Sequence, residues 1–75
     1  MEKILKNVLE YHYGLLYEST AMALELICET LCYNHGKNAT WQGRSIYIDD
    51  KRVASIKTCK EGEKVIAIYD YKIIA

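Results

Sequence analysis

The chain has 75 residues, of which 51% are apolar and 27% charged, and its ten Lys and Arg balance its ten Asp and Glu. That length holds one domain, residues 1–75, around one core. Zero net charge with this apolar content excludes a disordered tail, a collagen-like repeat and a uniformly basic coat for nucleic acid.

From Lys3 to Tyr33 the apolar residues keep helical spacing: Leu5, Leu9, Leu16, Ala23 and Ile27 fall on one stripe at 100° per residue. Gly14 is the obvious place for a break. The stripe keeps its phase across it, and an exposed helical Gly costs only about 1 kcal/mol relative to Ala, so the spacing predicts one helix over residues 3–33. Asn34-His35-Gly36 supplies the stop, since Gly or Asn takes the left-handed conformation that closes a helix. Residues 37–43, with Trp41 among them, have no clear period and fit either a loop or a short extra strand.

Runs rich in β-branched and aromatic residues then predict strands at about 44–49, 52–58 and 64–74. Asp49-Asp50-Lys51-Arg52 and Lys60-Glu61-Gly62-Glu63 make polar hairpin connections. The expected fold is therefore α+β: a long N-terminal helix packed on a three-stranded antiparallel meander, αβββ.

This layout leaves apolar surface over. A helix of about 30 residues is about 45 Å long, whereas a ten-residue strand spans about 33 Å, so the helix would overhang its sheet. A second apolar line, Gly14, Tyr17, Ala21, Leu24, Cys28 and Cys32, runs along another side of the helix. The last strand reads as Val65, Ala67, Tyr69, Tyr71 and Ile73 on one face and Ile66, Ile68, Asp70 and Lys72 on the other, so neither face is plainly polar. Two apolar lines call for two neighbours. The expected function is a small non-enzymatic protein-binding module, a homodimer first and a binder of a heterologous target second. Tyr17, Ala21, Leu24 and Cys28 form the expected seam, with Glu18, Glu25 and Glu29 as polar contacts beside it and Tyr69 and Tyr71 as the sheet-side candidates.

Charge divides along the chain. Residues 1–36 carry net −3 and residues 37–75 carry net +3. The basic half, with Trp41, Tyr47, Tyr69 and Tyr71, supports an alternative reading as a nucleic-acid-binding regulator, because cations neutralise phosphates and exposed rings stack on bases.

Chemistry-bearing motifs are sparse. Cys28, Cys32 and His35 share one helix side and Cys59 would complete four ligands, but the paired spacing of a structural zinc site is missing, so no metal or cofactor is expected. A Cys32–His35 nucleophile pair has no orienting third group, and His12 on the apolar stripe reads as a hydrogen-bonded core residue, so no catalytic residue is assigned. Three Cys and a charged N-terminus without a signal-like apolar run point to a reducing cytoplasm, and no run is long enough to span a bilayer. In size and layout the chain resembles the small inhibitors that phages and mobile elements direct against bacterial defences, anti-CRISPR proteins among them. The resemblance covers overall plan and no motif; it implies a stoichiometric blocker of a host protein and carries over no functional residue.

Overall fold

A computed structural model describes residues 1–74. It is an α+β fold with two helices and five strands: α1 (Glu2–His12), β1 (Leu16–Tyr17), α2 (Thr20–His35), β2 (Ala39–Gln42), β3 (Ser45–Ile48), β4 (Lys51–Lys60) and β5 (Ile66–Ile73). The strands form one antiparallel sheet in the order β1-β5-β4-β3-β2. The expected meander is present as β3-β4-β5. The unreadable segment around Trp41 adds β2 at one edge, and β1 adds a two-residue edge at the other.

The single helix is corrected to two. α1 buries Leu5, Val8, Leu9 and His12 at helical spacing and ends where Tyr13 turns extended and Gly14 takes φ +81°. Leu15 and Leu16 are consequently exposed, and the next residues pair with β5 through Leu16↔Ala67 and Tyr17↔Ile66. α2 then begins at its own cap: the Ser19 hydroxyl accepts from the Met22 amide at 3.1 Å. At the far end Gly36, at φ +63°, donates to the Cys32 carbonyl while Lys37 donates to Leu31, the paired bonds of a left-handed helix stop. Because the chain folds back at Gly14, no 45 Å helix overhangs the sheet; the longest dimension of the molecule is 35 Å.

Both helices lie on one face of the sheet. The core joins Leu5 and Leu9 of α1, Leu24, Ile27 and Leu31 of α2, and Ile46, Ile56 and Ile68 of the strands, all essentially inaccessible to water. Two bulges let the strands supply that face. Between the pairs Lys57↔Asp70 and Thr58↔Ile68 the residue Tyr69 has no opposite number, so the alternation in β5 slips by one. Ile66 and Ile68 before the slip, and Tyr71 and Ile73 after it, therefore pack against the same core. The even-handed pattern of β5 is one buried face read across a bulge. In β4 the unopposed residue is Val53, which is buried and whose carbonyl accepts from Ile74 at 2.8 Å.

The other face of the sheet has an apolar row at the β1 end, Leu16, Ala67 and Cys59, and is polar beyond it. Ser45, Ser55 and Lys72 form one row by register, Tyr47 and Arg52 a second, and Lys57 and Asp70 a third. Tight turns set this register. Asp49 and Asp50 both have positive φ, as a two-residue turn with the twist of its strands requires, and Gly43 supplies the positive φ between β2 and β3.

Candidate functional site

The expected seam divides between the interior and the surface. Tyr17 is 6% exposed, Leu24 0% and Cys28 6%, so all three pack in the core; Leu24 offers a partner nothing, and Tyr17 and Cys28 meet the surface only where they line two hollows beside α2. The two apolar lines of the helical region do have two neighbours, but both are internal: α1 and α2 pack against each other and each against the sheet, α1 on β5 and α2 chiefly on β2. Ala21, Glu18, Glu25 and Glu29 are exposed. Tyr69 and Tyr71 lie elsewhere, beside α1: the Tyr13 hydroxyl donates to the Tyr69 carbonyl at 2.7 Å, and the Tyr71 hydroxyl donates to a Glu10 carboxylate oxygen at 3.1 Å. The structure therefore does not bring the sheet-side tyrosines together with the acidic line of α2.

What α2 turns outward is a line of carboxylates with apolar side chains beside it. Around the helix at 100° per residue, Glu25 and Glu29 are followed by Met22, Tyr33 and Leu26, all exposed, with Tyr33 at 84%; Glu18 precedes the Ser19 cap and lies off the helix, beside Lys64 and Val65. Sequence reasoning missed Met22, Leu26 and Tyr33 as surface residues. The signal was there in the heptad-like spacing of Met22, Leu26 and Tyr33, but it merged with the core stripe while α1 and α2 were read as one helix. A shallow hollow of about 400 Å³ lies on one side of this line, between α2 and β2, and is lined by Cys28, Cys32, Ala39 and Trp41 with Glu25 and Glu29 on its wall. A second, of about 380 Å³, lies on the other side, between Tyr11, Leu15 and Leu26, and Tyr33 borders both.

At the floor of the second hollow His12 ties three elements together. Thr30 donates its hydroxyl to the Leu26 carbonyl at 3.0 Å, so its oxygen accepts from His12 Nε2 at 3.3 Å. That leaves His12 Nδ1 unprotonated and accepting from the Tyr17 hydroxyl. The chain of donors fits a neutral imidazole. Burial depresses the His12 pKa below its usual 6.5, in keeping with that assignment, and raises the Tyr17 hydroxyl, with Tyr11 adding to the rise. With both ring nitrogens occupied inside the protein, His12 is a structural tie.

Cys28 and Cys32 neighbour each other on α2, whereas Cys59 lies apart on β4. Burial, with Cys32 adding to it, pushes the Cys28 pKa up to about 11, where the thiolate needed for nucleophilic or metal chemistry is scarce at neutral pH. Cys32 donates to the Ala39 carbonyl at 3.6 Å, and Cys59, on β4, donates to Glu61 at 3.3 Å, the contact that chiefly raises its pKa. Among the described residues no three His, Cys, Asp or Glu side chains converge as metal ligands. The aromatic and basic groups of the strand half are also dispersed: Trp41 is on the helix side at β2, Tyr47 shares the outer sheet face with Arg52, and Arg52 Nε donates to Ser45 Oγ at 2.9 Å.

No described helix is long and apolar enough to cross a membrane. Comparison with protein-family models, with curated proteins and with solved structures found no match.

Proposed function

We propose that the chain is a non-enzymatic protein-binding module that presents the outward face of α2 to a partner bearing basic groups. The observation that carries this reading is the combination on one rigid helix of Glu25 and Glu29 with exposed Met22, Leu26 and Tyr33. Large exposed apolar side chains beside a line of one charge are the composition of a contact surface, with an anchor of buried area and a rim that steers approach. A two-fold dimer through this face would set the same carboxylates against one another, which favours a heterologous partner over the homodimer. Carboxylates fixed on a helix compete with phosphate for Arg and Lys side chains, so blocking a host protein that handles polyanions, as phage anti-defence inhibitors do, is the form of activity this surface suits.

The test is capture on immobilised chain from the cells in which it occurs, run in parallel with the double variant Glu25→Lys/Glu29→Lys. The expected result is a protein held in stoichiometric amount by the native chain and weakened about tenfold or more by the double variant, with release as salt rises. Retention of no protein by the native chain, or equal retention by both, sinks the reading.

The outer sheet face keeps a second reading alive on one observation: Arg52, Lys57 and Lys72 are all exposed there in neighbouring rows. A nucleic-acid-binding regulator would use that face, with Tyr47 paired beside Arg52. Gel-shift titration decides it: a complex that weakens steeply with salt supports it, and no complex at low salt removes it.

A further inference from the structure

The sheet ends in two unlike edges. β1 is two residues long, whereas β2 has four residues and no Pro, Lys or Glu among Ala39, Thr40, Trp41 and Gln42, the residues by which natural edge strands discourage pairing. Its free side is identifiable. Asp49 donates to the Asn38 carbonyl at 3.1 Å, which makes Asn38 and Asp49 a hydrogen-bonded pair, and the antiparallel alternation then makes Thr40↔Tyr47 and Gln42↔Ser45 hydrogen-bonded as well. Ala39 and Trp41 are the intervening residues. Their backbone groups face away from β3; the Ala39 carbonyl takes the Cys32 thiol, and the Ala39 amide and both Trp41 groups are left directed at the open side. The hollow of about 400 Å³ lies against this edge under α2.

We propose that β2 takes an extended segment of a partner protein as a sixth strand, with an Arg or Lys on its α2-facing side meeting Glu25 and Glu29 and a small aliphatic side chain filling the hollow over Cys28 and Cys32. The inference rests on the protein-binding reading above and names the kind of segment bound. Backbone pairing at Trp41 supplies the docking, and the side chains that alternate toward α2 supply the choice of sequence. The charge of the groove selects the occupant: its wall holds two carboxylates, and no Lys or Arg lines it among the described residues. A second copy added edge to edge would bring its own Glu25 and Glu29 to the same seam, so self-pairing is opposed by like charge while a cationic strand is drawn in.

The probe is a nine-residue capped peptide in which threonine alternates with valine and arginine, so that valine and arginine share one side. Trp41 is the only tryptophan of the chain, and the peptide has none, so Trp41 emission reports binding directly. The expected result is a saturable emission change with half-saturation below about 1 mM, at least tenfold slower hydrogen exchange at the Trp41 amide, and at least tenfold weaker binding to Glu25→Lys/Glu29→Lys. Saturation without protection of the Trp41 amide, no saturation, or equal binding to the double variant overturns the proposal. So does a dimer in the absence of peptide that already protects that amide, since the occupant is then a second copy. Capture separates this inference from the reading beneath it: a protein retained through Glu25 and Glu29 that the peptide cannot displace leaves protein binding standing and removes strand addition.

Discussion

His12 shows how one side chain holds α1, β1 and α2 in register, through Tyr17 on one ring nitrogen and Thr30 on the other. Its folded pKa lies below 6.5, so between that value and 6.5 the unfolded chain binds a proton that the folded chain refuses. The contribution to stability is therefore complete above 6.5 and is lost as pH falls through the folded value. Urea midpoints are expected to hold steady from about pH 8 to 7 and to drop below about pH 6.5, with a shallower drop in His12→Gln; identical profiles for the two proteins would remove the assignment. The neighbouring pair Ala21 and Leu24 makes a sharper contrast. Leu24→Glu buries a carboxylate in the core and abolishes folding, whereas Ala21→Glu on the exposed face changes stability by no more than about 0.5 kcal/mol, as thermal unfolding will show. Spacing alone showed that Leu24 and Cys28 lie on an apolar side. It could not show that the cover was α1 and the sheet of the same chain, because periodicity reports that a face is buried and is silent about what buries it.

The elements turn on a few backbone positions. No atom lies within 4 Å of where a Gly14 side chain would begin, so Gly is needed there for its φ of +81° and for no other reason. Gly14→Ala is accordingly expected to cost about 1–2 kcal/mol in denaturant unfolding, and Ser19→Ala about 1 kcal/mol through loss of the α2 cap. Losses near zero at both positions would favour the unbroken helix after all. The break was legible in principle, as Gly14 followed five residues later by a capping Ser. It was hidden because the segment between the helices happens to preserve the phase of the stripe, carrying Leu16, exposed on β1, into line with Leu9 and Ala23. Strand positions and the Gly36 stop were plain in the residue types. The bulges at Val53 and Tyr69 were not, since one unopposed residue exchanges the two faces of a strand without leaving a mark in composition. β1 was beyond reach for a related reason: two residues are too few to show a period.

Over the whole molecule the apolar surplus expected from the sequence is largely absorbed by the second helix and by the slipped strands. What stays outside is the acidic and apolar face of α2, with Met22, Leu26 and Tyr33, and the adjoining β2 edge. The charge division read along the chain becomes in part a division between layers: the helical segment holds net −3, and the outer sheet face displays Arg52, Lys57 and Lys72 against Asp70. Opposite poles on a particle with no net charge and an isoelectric point near 6.7 have a colloidal consequence. At low ionic strength and near that pH the bottom of one molecule attracts the top of the next, and such stacking has no closure to limit it. Dilute buffer is thus the condition in which solutions should cloud, and sodium chloride should clear them.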